Sequence, residues 1–316
     1  MGTDLALDVA AALPVGVPKV LLSTIAYSHL LPPERITPDL IMVLWAGGLY
    51  GLNSLCRSSL AQAAGAVVGA CRGAAAPHFE RPLIAITSLG TSGLRYVIPL
   101  KPALEARGYE VAVFHTTGMG GRAFEALAEQ GLFSAVFDFS LQELANHLGN
   151  SCVTAGPDRL RGAGRAGTPQ LVAPGAIDMI DHASWQPAPM EHARNGLHHI
   201  HNRLIASVCT DGPFRREVAC AIAERLSEAS GPYCVLLPLR GVEEWDRPEG
   251  PLHHPQAHAE FVSALRAQPL PAGHLVEVDA HINDEAFTEA ALAVFDRWVR
   301  EGLVAPGLAT QEMAAS

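Results

Sequence analysis

Between Val111 and Glu125 the chain reads VAVFHTTGMGGRAFE, an apolar strand that runs into a glycine turn and directly on into a helix. A strand that hands over to a helix so abruptly belongs to parallel α/β architecture, because parallel neighbours need a helical crossover between them. The surrounding pattern repeats the unit. From Pro82 the apolar periodicity predicts a strand at 83–87, a helix at 96–107, a strand at 110–115 and a helix at 122–130. It continues with a strand at 135–139, a helix at 142–147, a strand at 170–173, a helix at 215–230, strands at 233–237 and 275–278, and a closing helix at 284–300. The segment PDRLRGAGRAGTP between two of these elements reads as a loop.

Upstream, a helical period reaches Leu13, strands are expected at 20–24 and 39–44, and a helix at 53–71. The small and proline-containing run GAAAPHFERP then marks a boundary. The expected fold class is α/β with two Rossmann-like subdomains built on parallel sheets, over residues 1–78 and 79–316. Two strands and two helices make about half a doubly wound unit, so the first subdomain reads as incomplete in this chain. Its missing strands would come from packing on the second subdomain or from a separate polypeptide.

The turn itself carries chemistry. Gly118, Gly120 and Gly121 let backbone N–H groups approach a ligand, the following helix N-terminus favours an anion, and Arg122 adds positive charge. His115 ends the strand, at the edge where open parallel sheets present ligand groups. Ser88, Gly90 and Thr91 in ITSLGTSG form a second small-residue turn after the neighbouring strand. The plainer reading of both is a tight connection that binds nothing.

Composition narrows the partners. A formal charge of −10 disfavours nucleic acid and anionic membrane surfaces. No run approaches the roughly 20 apolar residues of a membrane-spanning helix. Six cysteines (Cys56, Cys71, Cys152, Cys209, Cys220 and Cys234) lie scattered without zinc-knuckle or disulfide-framework spacing, as expected of a cytoplasmic protein.

Further candidates lie downstream. His199 and His201 in LHHIHNRL alternate on one side of an extended segment, which suits an acid–base imidazole with an orienting partner. No third ligand stands at a diagnostic spacing, so no metal is expected there, although the histidine-rich stretch from His182 to His201 could bind one adventitiously. Asp178, beyond the strand at 170–173, would orient a histidine or bind a hydroxyl, with Asp181 as competitor and a helix cap as the plainer role of either. Glu143 reads first as an acid favoured by a helix dipole and second as a base. His281 sits at a strand terminus, with Asn283 or Asp284 well placed as the N-cap of the last helix, which suffices to explain Asn283. Lys19 and Arg240 are candidate anion clamps or ordinary surface cations. No nucleophile elbow, triad order or Walker lysine occurs.

Taken together, LPVGVPKVLLSTIA, GLNSL, FHTTGMGGRAFEAL, GAIDM, HIHN, LPLRGVEEWDRPEGPLHHP and HINDEAF resemble the nucleotide-binding family typified by the N-terminal half of the plant tomato mosaic virus resistance protein. That resemblance implies two Rossmann-like subdomains, ATP or another nucleotide at the first, and a dimeric assembly. Three departures stand out: a glycine-rich N-terminal segment of the family is absent here, Gly48 replaces an acidic residue, and Cys209 stands where many members have arginine. The first two favour a split protein whose other half is a separate chain, or a paralogue specialised for another ligand; the expected assembly is a homo-oligomer or a hetero-complex with that separate chain.

The expected function is that of an enzyme or enzyme subunit, of lyase or hydrolase class unresolved, holding a small carboxylate or phosphate in the cleft between the two units. The glycine turn would hold the anion, Arg122 would stabilise developing charge, and His199 or His201, oriented by Asp178, would move protons. Carbon–carbon or acyl bond cleavage fits this scheme. The alternative is a nucleotide-binding regulatory protein without turnover.

Overall fold

The computed structural model describes residues 2–28, 30–45, 51–75, 77–185 and 196–308. Gly48 and residues 186–195 of the histidine-rich stretch lie outside the described residues. Internal packing divides the chain into a unit from Met1 to His78 and a unit from Phe79 to Ser316.

In the first unit, α1 (Gly2–Ala12) precedes β1 (Lys19–Ser23), and β2 (Leu40–Leu44) precedes α2 (Ser54–Gly73). The strands pair in parallel, from Lys19 opposite Leu40 to Ser23 opposite Leu44. A small core gathers Leu7, Leu21 and Leu31, and Asn53 caps α2 by accepting from the Cys56 N–H at 2.9 Å. Lys19, read as a candidate anion clamp, is buried instead: its Nζ donates to Asp39 Oδ2 at 2.6 Å and to the Pro14 carbonyl at 2.8 Å. A cation so engaged is a structural tie.

The second unit is built on β3 (Leu83–Ser88), β4 (Glu110–His115), β5 (Ala135–Asp138), β6 (Gln170–Val172), β10 (Tyr233–Pro238) and β11 (Leu275–Val278). They form one parallel sheet in the order β11-β10-β6-β5-β3-β4. The strands β3, β5 and β10 are buried end to end, whereas β4 and β11 at the edges alternate or thin out. Burial on both faces is why the central strands read as unbroken apolar runs. One face is covered by α3 (Gly90–Ala106) and α9 (Glu285–Arg300), through Tyr96, Leu100, Leu104, Phe287 and Phe295. The other is covered by α4 (Met119–Glu129), α5 (Gln142–Leu148), α7 (Gly212–Ser227) and α8 (Pro255–Arg266).

Two features of this unit go unread in the sequence. The segment taken for a loop contains a short helix, α6 (Gly162–Arg165). A separate antiparallel sheet, ordered β7-β9-β8, joins β7 (Met179–Ala183), β9 (Ile205–Cys209) and β8 (His198–Ile200). Strands β7 (MIDHA) and β8 (HHI) break their apolar residues with aspartate and histidine, so neither the unbroken apolar run of the parallel strands nor a clean alternation marks them.

Candidate functional site

Connections reverse direction at β3, since β4 lies outside it and β5 inside. Such a switch point is where open sheets take ligands, at the carboxyl ends of the strands. The glycine turn stands there, between β4 and α4. Gly118 has φ +93°, a backbone state that L side chains rarely adopt, and a Cβ on Gly120 would run into the His115 carbonyl. The close approach that the sequence predicted is therefore present, but its partner is internal. Glu143 Oε1 accepts from the N–H groups of Gly118 at 2.5 Å and Gly121 at 3.1 Å, and a Cβ on Gly121 would collide with that carboxylate. The anion at this turn is a side chain of α5.

Glu143 is in turn bound by Arg159, a residue from the supposed loop. Arg159 Nε donates to Glu143 Oε2 at 2.9 Å, Nη1 to Glu125 Oε1 at 2.9 Å and Asp138 Oδ2 at 2.6 Å, and Nη2 to Asp138 Oδ1 at 2.6 Å. Three acidic side chains thus surround one fully buried guanidinium. Burial pushes the Glu143 carboxyl up to about 7 against the pull of Arg159 and the two N–H donors, and burial likewise raises Glu125.

The remaining predicted residues of this region sit nearby without forming a constellation. Ser88 is buried at the end of β3, where its carbonyl accepts from the Thr116 N–H at 2.9 Å and the Thr116 hydroxyl at 3.1 Å. Thr91 is exposed in the first turn of α3. His115 is exposed at the end of β4, and its Nε2 accepts from the Gly90 N–H at 3.4 Å. Arg122 is half-buried in the first turn of α4, with its Nε lacking a partner.

A second set of groups collects where β6, β10 and β11 end. Asp178 is fully buried just before β7, and Glu243 and His281 are 2% exposed in the segments after β10 and β11. The Asp178 carboxyl lies close enough to that of Glu243 to oppose its ionisation. Neither Asp178 oxygen nor Glu243 Oε1 has a hydrogen-bond partner among the described residues. Burial raises both carboxyls above the ordinary range, and negative neighbours, including Asp246, raise them further. Like charges so placed oppose simultaneous ionisation of the two carboxyls.

His281 completes the back of this cluster. Its Nδ1 accepts from the Asn283 N–H at 3.1 Å, which assigns the proton to Nε2, directed at Asp246 Oδ1 and the Glu243 carbonyl, each 2.9 Å away. Of the two cap candidates the sequence offers, Asp284 takes the N-cap position of α9 without a side-chain cap hydrogen bond, and Asn283 instead sends its Nδ2 to Ser92 Oγ at 2.9 Å and Glu244 Oε2 at 3.1 Å. The first turn of α3 and the segments after β10 and β11 are thereby tied together at one end of the sheet.

The antiparallel sheet brings the histidine pair to the same cluster. His199 lies across from Ser207 in β8, and its ring centroid is 4.2 Å from that of Trp245, while His201 is 5.7 Å away. Asn202, the third member of the motif, closes the hairpin by accepting from the N–H groups of Leu204 at 2.7 Å and Ile205 at 3.0 Å. Asp181, the competitor of Asp178, is spoken for by the Ser207 hydroxyl at 2.6 Å. Cys209 Sγ lies 3.4 Å from Arg215 Nη2, yet burial pushes its thiol up to about 11, so it is no nucleophile at neutral pH. Among the described residues no group of three or more His, Cys, Asp and Glu is arranged to hold a metal ion.

With that geometry in hand, comparison with known sequences assigns the kinship. The model of the uncharacterised protein family UPF0261, C-terminal domain, matches residues 81–299, and the N-terminal domain of the same family matches 1–76. The chain belongs to the UPF0261 family. A UPF0261 protein of Brucella melitensis is 57% identical over 307 residues, covering 97% of this chain and 73% of its own. A UPF0261 protein of Clostridium tetani is 34% identical over 295 residues, covering 92% and 71%. The ToMV resistance protein Tm-1 of Solanum lycopersicum is 29% identical over 303 residues, covering 93% of this chain and 40% of its own, which supports the link to the plant protein. No described helix of this family member is long and apolar enough to cross a membrane.

Proposed function

We propose that this chain is an enzyme, or a subunit of one, that binds a small carboxylate or phosphate at the carboxyl edge of the second unit's sheet and moves protons on it. One arrangement carries the reading: the buried Asp178–Glu243 pair, its outward hydrogen-bonding capacity unfilled, beside a buried arginine, Arg215, whose Nη2 donates to the Asp178 carbonyl at 3.5 Å. Buried polar groups in native proteins are ordinarily satisfied, so a cluster of unsatisfied ones is a place for a polar ligand.

Roles follow from the environments. Glu243, whose carboxyl burial and Asp178 hold protonated, would be the general acid, and Asp178, the less raised of the two, would be the base. His281 and Asp246 would position the segment after β10, and His199, packed on Trp245, would be a further imidazole available beside that segment. Carbon–carbon or acyl cleavage next to an abstracted proton remains within this scheme. The glycine turn has no part in it, since Glu143 uses its donors.

The test is proton exchange. The purified protein is incubated in D2O with pyruvate, acetoacetate, malonate and phosphonoacetate, and loss of the acidic C–H signals is followed by proton NMR. Exchange that disappears in Asp178→Asn and Glu243→Gln, with circular dichroism unchanged, supports the reading. Exchange that survives both substitutions, or none with any acid, sinks it.

A further inference from the structure

The second unit buries two arginines completely and provides for them differently. Arg159 is ion-paired with Asp138, Glu125 and Glu143. Arg215, on α7, has no carboxylate within ion-pair distance among the described residues. Its Nε donates to the Thr210 carbonyl at 3.2 Å and to Thr210 Oγ1 at 3.0 Å, and its Nη2 reaches the Asp178 carbonyl at 3.5 Å and Cys209 Sγ at 3.4 Å. Its Nη1 has no hydrogen-bond partner among the described residues. A buried cation without an anion bonded to it carries a large desolvation cost that a bound anion would offset.

Arg215 forms the inner wall of a cavity of about 390 Å³, lined also by Arg240, Gly241, Asp246, His254 and His258. Further features of the wall favour the same kind of guest. The α8 N-terminus opens onto it, with His254 accepting from the Ala257 N–H at 3.4 Å. Burial lowers the pKa of His258, which leaves a neutral ring able to donate one N–H without a charge. Asp246, the one carboxylate named in the wall, is committed elsewhere, its Oδ1 to His281 Nε2 at 2.9 Å and its Oδ2 to the Val242 N–H at 2.7 Å. Gly241, at φ +136°, leaves the room a Cβ would take from Asp246 and His281.

We infer that this cavity binds a phosphate group, held by Arg215 Nη1 against the α8 N-terminus. Arg215 on α7 and the His258 ring on α8 both have unfilled N–H capacity among the described residues, and a tetrahedral oxyanion offers acceptors to both, whereas a planar carboxylate offers fewer directions. The inference gives the proposed enzyme its substrate class, a small phosphorylated compound, and rests on that reading only in calling the guest a substrate.

Titration calorimetry of the full chain with inorganic phosphate, and separately with malonate, tests it. Phosphate is expected to bind saturably, and Arg215→Met to weaken it by about tenfold or more through loss of a charge-assisted donor. Ala259→Glu is the second variant, because Ala259 lies in the cavity wall on an exposed side of α8, where a glutamate brings a repelling carboxylate with little risk to folding. It is expected to weaken phosphate by a similar factor, and Arg122→Ala to leave it unchanged. Absent phosphate binding, malonate bound in its place, or phosphate affinity indifferent to both cavity variants would each overturn the inference. Phosphate binding without proton exchange would remove the enzyme reading and keep this site; exchange without phosphate binding would do the reverse.

Discussion

Arg159 Nε donates to Glu143 Oε2 across 2.9 Å, and solvent reaches neither side chain. Through this pair a stretch with the look of a loop anchors the turn that most resembles a ligand site. Removing one member leaves the others charged and unpaired in the interior. Arg159→Met is therefore expected to cost roughly 3–5 kcal/mol, read as a shift of the urea unfolding midpoint. A change indistinguishable from that of a surface arginine such as Arg240 would contradict the role assigned to it.

Gly121→Ala probes the same contact from the turn. The added Cβ meets the Glu143 carboxylate, so either Glu143 withdraws from its two N–H donors or the turn shifts. A loss of about 1–3 kcal/mol is expected, again by urea unfolding, and a substitution without cost would mean that the carboxylate does not sit against the turn.

The Asp178–Glu243 pair predicts a pH dependence of definite sign. Both carboxyls are raised in the folded state, so folding takes up protons once pH exceeds the ordinary carboxylate range. Their contribution to stability consequently falls as pH rises from there towards the folded values. Glu243→Gln, neutral at every pH, is expected to be more stable than the parent protein at pH 8, by about 1–2 kcal/mol, and to lose that advantage near about pH 4–5. Melting temperatures of both proteins across that range give the answer, and an advantage that grows on acidification would reverse the sign argued here.

Thiol reactivity separates the cysteines. Cys71, Cys152 and Cys220 are exposed, whereas burial pushes the Cys209 and Cys234 thiols up to about 11. With a thiol-disulfide reagent at pH 8, the three exposed residues should react first and Cys209 about a hundredfold more slowly, as mass spectrometry of the labelled peptides would resolve. Fast labelling of Cys209 would show a thiolate beside Arg215 and reopen a nucleophilic role.

Much of the fold was legible because its signals are local. Buried strands such as LIAITS and YCVLLP announce themselves as apolar runs, and the strand-to-helix handover at Gly118 requires glycines that can be read off directly. The short strands of the antiparallel sheet, and Arg159 within a glycine-rich segment, give no such signal. A lone arginine in a loop looks the same in sequence whether it is solvated or paired with three carboxylates.

By itself, then, the sequence determined the parallel α/β class, the positions of its main strands and the presence of a turn able to hold an anion. Tertiary structure decided which anion: a carboxylate 25 residues further along the chain fills the turn, and the unsatisfied polar groups collect instead around Asp178, Glu243 and Arg215. The physical reason is one of range. Strand and helix patterning and glycine torsions are set by neighbours within a few residues, whereas desolvation, ion pairing and unfilled hydrogen bonds depend on groups brought together only when distant strands align their ends.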